Sequence, residues 1–78
     1  MGDTRKTLGQ LKAEYDKYRP LFGKAFKHIV NGDKYILLYV SFDEANNETK
    51  AVYASAAMTW LKFDRPIELF LNRFEQEH

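Results

Sequence analysis

The sequence predicts an α+β fold: an N-terminal helix packed on a small, strongly bent antiparallel SH3-like β-barrel of four or five strands, closed by a short C-terminal helix. Three observations predict it. Leu8, Leu11, Tyr15 and Tyr18 recur at spacings of three and four ahead of Pro20, the pattern of one helix face. The middle of the chain is dense in β-branched and aromatic residues, interrupted by Asn31-Gly32 and by the polar run Asp43 to Thr49. Finally, Trp60-Leu61-Lys62-Phe63-Asp64-Arg65-Pro66-Ile67-Glu68-Leu69-Phe70 ends that β-rich part with a proline-started apolar turn. The 78 residues are enough for a single domain, 1–78, divided into a helix at 4–19, a β body at 25–63 and a helix at 65–75. A domain of this size buries a modest share of its surface. Its core must therefore be rich in large side chains, and six Phe, five Tyr and one Trp supply them.

Asp3 and Thr4 are suited to cap the first helix, because their side-chain oxygens accept from free N–H groups of the first turn. Pro20 disfavours the helical conformation at Arg19, so the helix closes near Tyr18. Lys6, Lys12, Glu14, Asp16 and Lys17 make its solvent side. Phe22-Gly23-Lys24 connects to a strand over Ala25 to Val30, stopped by Asn31-Gly32, a type I′ hairpin signal. A second strand follows over Lys34 to Phe42. There Tyr35, Leu37, Tyr39 and Ser41 share one face and Ile36, Leu38, Val40 and Phe42 the other. The second set is the more apolar and is expected to face the core.

Asp43 to Thr49 reads as a hairpin tip and Lys50 to Ser55 as the returning strand. Ala54 to Met58 fits either strand or turn, and Thr59 to Phe63 is a further strand. Asp64-Arg65-Pro66 reads as a helix start, with Asp64 as cap and proline in the first turn, where its missing N–H costs nothing. Ile67, Phe70, Leu71 and Phe74 form the helical face, and Glu75 to His78 frays.

From Phe26 onward the order of signals resembles a small bacterial and phage family, domain of unknown function 1653. Phe26-Lys27-His28, followed by Asn31-Gly32 and Tyr35, is similar to that family's opening. Lys50-Ala51-Val52-Tyr53-Ala54 is similar to its middle, and Arg65-Pro66-Ile67-Glu68-Leu69-Phe70 to its close. The resemblance spans about two-thirds of the chain and implies a compact SH3-like barrel. It implies no activity, because none is established for the family.

Composition narrows the function classes. There is no cysteine, which excludes disulfides and thiol chemistry, and two His are too few for a structural zinc site. No apolar run approaches the ~20 residues of a membrane span, and Met1 to Lys6 lack the apolar stretch of a signal peptide. The expectation is a cytoplasmic protein away from membranes, without metal or cofactor. Net charge is +1, yet residues 1–34 carry eight basic and four acidic groups while 35–78 carry four basic and seven acidic. That asymmetry fits either a basic face for an acidic partner or an ordinary solvated surface.

Several residues are candidates for chemistry or recognition. His28 is the first suspect for proton transfer, but no Ser or Cys nucleophile stands in a recognisable frame beside it, which favours a structural role. Asp43, Glu44 and Glu48 share one loop without the spacing of a calcium site. Arg65 is placed to pair with Glu68 across the first turn of the second helix, or to meet a partner's carboxylate or phosphate through its planar fork. Tyr35, Tyr39, Tyr53 and Trp60 make either an exposed recognition surface or aromatic filling beneath the N-terminal helix. Arg5, Lys6, Lys12, Lys17, Arg19, Lys24, Lys27 and Lys34 suggest a phosphate-binding stripe, interrupted by Glu14 and Asp16.

The reading these features favour is a non-catalytic protein-interaction module that contacts its partner through Tyr35, Tyr39, Tyr53, Trp60, Lys27, His28 and Arg65. The alternative is a nucleic-acid-binding module using the same basic and aromatic sheet face. An unpaired edge strand at Ala25 to Val30, or the apolar face of the first helix, would further allow a homodimer.

Overall fold

The computed structural model describes residues 6–77, so the expected caps Asp3 and Thr4 lie outside the described residues. The first helix, α1, spans Leu8–Tyr18. It starts where Thr7 and Gln10 form a capping box: the Gln10 N–H donates to Thr7 Oγ1 at 3.2 Å and the Thr7 N–H to Gln10 Oε1 at 2.8 Å. It ends at Tyr18, because Pro20 has no N–H for the next helical bond; Arg19, expected outside the helical region, stays in it at φ −52° and ψ −39°, and a 3-10 turn over Arg19–Leu21 follows.

Five strands come next: β1 (Ala25–His28), β2 (Lys34–Asp43), β3 (Glu48–Ser55), β4 (Lys62–Pro66) and, after helix α2 (Ile67–Arg73), β5 (Phe74–Gln76). They form one antiparallel sheet in the order β4-β3-β2-β1-β5. The edges β4 and β5 do not pair with each other, so the sheet is not closed into a barrel. It is strongly curled all the same. Four strand spacings on a flat sheet cover about 19 Å, whereas the seven residues of α2, which carry the chain from one edge to the other, rise only about 10 Å. Helix α2 therefore crosses the concave face and holds the two edges near one another.

Three boundaries differ from expectation. The hairpin between β1 and β2 is not type I′, which needs two consecutive residues at positive φ: Gly32 has φ +78°, but Asn31 does not share that conformation. The chain instead makes a wider loop, closed by the Gly32 N–H on the His28 carbonyl at 2.9 Å and the His28 N–H on the Asp33 carbonyl at 2.8 Å. Strand β4 runs three residues beyond Phe63, because Asp64, Arg65 and Pro66 continue the ladder opposite Val52, Ala51 and Lys50. Asp64 thus caps no helix and faces Lys50 Nζ at 3.6 Å. Finally, the tail does not fray at Glu75. Phe74, Glu75 and Gln76 pair with His28, Lys27 and Phe26. This gives β1 a neighbour on both sides and removes it as an edge for dimerisation.

The face assignment of β2 also changes along the strand. The register steps from Leu37↔Tyr53 to Tyr39↔Val52, leaving Leu38 as the extra residue of a β-bulge. A bulge inverts the alternation beyond it. Tyr35 and Leu37 therefore point inward before Leu38, and Val40 and Phe42 after it, in register with Ser55, Tyr53, Ala51 and Thr49. The expected inner set holds for Val40 and Phe42 and fails for Ile36 and Leu38.

The core consists of Tyr18, Phe26, Leu37, Ala51, Tyr53, Ile67, Phe70 and Phe74, with Leu21, Phe22, Tyr35 and Val40 packed against it. Phe26 meets Phe70 edge-on at 5.0 Å, and Phe70 stacks on Phe74 at 4.4 Å. Helix α1 contributes mainly Tyr18; Leu11 is half-buried and Leu8 is 85% exposed. A polar contact holds its N-terminal end. Lys6 Nζ donates to Glu14 Oε1 at 3.0 Å and to Thr49 Oγ1 at 3.2 Å, and the buried Thr49 hydroxyl donates to the same Glu14 oxygen at 3.1 Å.

Candidate functional site

The strand register that builds the core also builds a groove. On the concave face the pairings Phe26↔Tyr35, His28↔Phe74 and Leu37↔Tyr53↔Phe63 line up side chains from all five strands. Where α2 stops covering that face, a cavity of about 160 Å³ opens, lined by His28, Asn31, Tyr35, Tyr53, Phe63, Arg65 and Phe74. Tyr35 sits edge-on to Tyr53 at 5.5 Å, to Phe63 at 5.9 Å and to Phe74 at 5.2 Å, and Tyr53 stacks on Phe63 at 5.5 Å. An adjoining and larger depression, about 700 Å³, shares Tyr35 and Phe63 and continues over Ser55, Ala56, Met58 and Leu61. Tyr35 and Phe63 thus border both.

Arg65 is the arginine of the smaller cavity, while Lys34 and Asp33 line the larger one. The Arg65 Nε donates to the Tyr53 hydroxyl at 2.9 Å, and its guanidinium carbon lies 5.4 Å from the Phe74 ring centre and 5.9 Å from that of Tyr53. Among the described residues no carboxylate comes within ion-pair distance of it. The expected pair with Glu68 does not form. Because β4 extends to Pro66, Glu68 stands on α2 and lines a different cavity, with Lys6, Glu14 and Glu48.

Burial raises the Tyr53 phenol above its ordinary pKa of 10.0, an effect that the Arg65 charge and hydrogen bond partly offset. The consequence for stability has a definite sign. With the folded value above the unfolded one, the folded state keeps its proton when the unfolded state has begun to lose it. The contribution is complete below about pH 10 and is lost as pH rises through the folded value. Urea unfolding across pH 8 to 12 is expected to show stability falling above about pH 10, with a shallower fall in Tyr53→Phe; identical pH slopes would contradict it.

His28 closes one end of the cavity. Its Nδ1 accepts the Val30 and Asn31 N–H groups at 3.2 and 3.4 Å, and its ring stands perpendicular to Phe74 at 4.9 Å. This arrangement ties the hairpin loop to β5; among the described residues no Ser or Cys side chain lines the cavity beside it.

Of the seven residues expected to contact a partner, four converge here: His28, Tyr35, Tyr53 and Arg65. Tyr53 is buried, but by α2 and β5 rather than by the N-terminal helix. Tyr39 does not join them. The bulge at Leu38 sends it to the opposite face opposite Val52, where it is 46% exposed. Lys27 alternates with Phe26 and His28 and lies on that opposite face too, and Trp60 projects from the turn before β4, 73% exposed, between the groove residues Met58 and Leu61. The expectation missed Phe63 and Phe74. Phe74 four residues after Phe70 looked like helix continuation, whereas it is the first residue of β5.

Asp43 is held below its ordinary pKa by the Asn46 side chain and then by Lys50, whose own pKa is raised by Asp43 at 3.2 Å, and among the described residues no group of His, Cys, Asp and Glu is arranged to hold a metal ion. Three residues of the expected basic stripe pair with carboxylates. Lys6 pairs with Glu14, Lys12 with Asp16 and Lys34 with Glu77, while Arg5 lies outside the described residues. No helix among the described residues is long and apolar enough to cross a membrane. The chain matches no protein-family model, no curated protein and no solved structure.

Proposed function

We propose that this chain is a non-catalytic protein-interaction module whose concave sheet face receives an extended segment of a partner protein. One observation carries the reading: Tyr35 and Phe63 line two adjoining depressions at once, one with Arg65 and one with Met58. Aromatic-lined grooves on small curled sheets suit extended polypeptide, which pays little ordering entropy on docking. We also read the curled sheet, its edges bridged by α2, as an SH3-like barrel left open between β4 and β5. The run Arg65 to Phe70, which carries most of the resemblance to domain of unknown function 1653, supplies both the arginine of the groove and the centre of the core. The pairing of Lys6, Lys12 and Lys34 with carboxylates favours protein over nucleic acid as the partner.

Titration of the labelled protein with peptides selected from a random display library tests this. Amide shifts are expected at Tyr35, Ser55, Leu61 and Phe63, with quenching or enhancement of the single Trp60. Tyr35→Ala and Phe63→Ala are each expected to weaken binding about tenfold or more while the protein stays folded. Shifts confined to the opposite face around Tyr39 would refute the groove. Salt-sensitive shifts with an oligonucleotide and none with peptides would put nucleic-acid binding in its place.

A further inference from the structure

We propose that the anchoring group taken by this groove is the carboxylate of an aspartate or glutamate side chain in the partner segment, bound end-on by the Arg65 guanidinium. The inference rests on the groove being a polypeptide site, and it adds the chemistry of recognition. Arg65 is half-buried, and a guanidinium withdrawn from water loses hydration that only a counter-charge restores well. Lys6, Lys12, Lys34 and Lys50 each have a carboxylate. Arg65, among the described residues, has only the Tyr53 hydroxyl and the ring faces of Tyr53 and Phe74.

The geometry narrows the ligand further. The Tyr53 hydroxyl occupies Nε, so the guanidinium plane is fixed and the Nη groups are left to meet a ligand. Two parallel N–H donors at that end match the two oxygens of a carboxylate. The cavity is small, about 160 Å³, which suits a single side chain. Tyr35, Tyr53, Phe63 and Phe74 supply aromatic wall beside the guanidinium, with Asn31 as a polar neighbour. A nucleic acid needs several cations along a strand, and this cavity offers one arginine, with His28 Nδ1 already accepting from the backbone. The Tyr35–Phe63 trough beside it takes an apolar residue, so the motif is one acid at a fixed spacing from one apolar side chain.

The experiment is a random-peptide display selection on the whole chain, followed by titration of the leading peptide against wild type, Arg65→Gln and Arg65→Lys. Selected peptides are expected to share one Asp or Glu. Changing that acid to its amide, or Arg65 to Gln, should each weaken binding about tenfold to a hundredfold, and the two changes together should cost little more than either alone. Arg65→Lys should recover part of the loss, since lysine keeps the charge but not the fork. Sodium acetate, compared with sodium chloride at equal ionic strength, gives a readout that needs no variant: the Arg65 Nε–H resonance should move with acetate alone. Peptides that shift Tyr35 and Phe63 but tolerate replacement of every acid would overturn the carboxylate and leave the groove standing. Loss of binding on amidating only the peptide's C-terminus would overturn the side-chain assignment. If no selected peptide shifts those amides, the groove fails and the carboxylate with it.

Discussion

Phe70→Ala is expected to lower the unfolding free energy by about 3–5 kcal/mol, a large part of the roughly 4–12 kcal/mol that a chain of this length holds in total. Phe70 is 0% exposed, stacked on Phe74 at 4.4 Å, edge-on to Phe26 at 5.0 Å and tilted on Tyr53 at 4.9 Å. It therefore joins β1, β3 and β5 through one ring. Helix α2 has seven residues and no side-chain cap at Pro66, and a helix that short has no stability of its own. Burial of Phe70 and Ile67 is what keeps it on the sheet, and α2 in turn positions the three-residue β5. Removing the ring should release both. Urea unfolding followed by circular dichroism measures the loss, with Leu71→Ala as the comparison. Leu71 is 38% exposed and should cost less than about 1 kcal/mol. Equal costs at the two positions would mean that α2 does not hold the fold together as described.

That comparison also marks how far the sequence carries. The periodicity of Ile67, Phe70, Leu71 and Phe74 announces a helix with an apolar face, and a helix is there. It cannot reveal that Phe74 has left the helix for a strand, because the reason is tertiary: β1 has an open side, and Phe26 and His28 offer a ladder to Gln76 and Phe74. The same holds for β2. A run of alternating apolar residues gives the strand but not the bulge at Leu38. A bulge is chosen by what faces the strand, here Tyr53 opposite Leu37 and Val52 opposite Tyr39. Local signals with a local cause behaved better: Pro20 stops α1 where expected, and the polar run after Asp43 turns the long hairpin.

The site divides along the same line. Tyr35, Tyr53 and His28 were legible as unusual residues on strands and Arg65 as a cation at a helix start, since aromatic and cationic side chains there need either a core or a partner. Their convergence was not legible, because it depends on register. Tyr39 lost its place to the bulge, and Phe63 gained one only because β4 pairs Phe63 with Tyr53. Arg65 was expected to face Glu68 on the assumption that Asp64 begins a helix. Once β4 runs on to Pro66, Arg65 belongs to the concave face by strand alternation, and its partner becomes Tyr53.

Tyr53 is where stability and recognition meet, and it separates them experimentally. Tyr53→Ala removes a ring that is nearly fully buried and touches Tyr35, Phe63, Phe70, Phe74 and Arg65. A loss of about 3–5 kcal/mol is expected, together with the support for Arg65. Tyr35→Ala, at a half-buried position on the rim of the cavity, should cost only about 1–2 kcal/mol and leave a folded protein with an impaired groove. The measurements are urea unfolding and peptide titration on both variants. If the concave face is built as described, Tyr53→Ala loses fold and binding together, whereas Tyr35→Ala loses binding from a folded state. A Tyr35→Ala variant that binds peptide as wild type does would move recognition away from the aromatic trough, because Tyr35, with Phe63, lines both depressions.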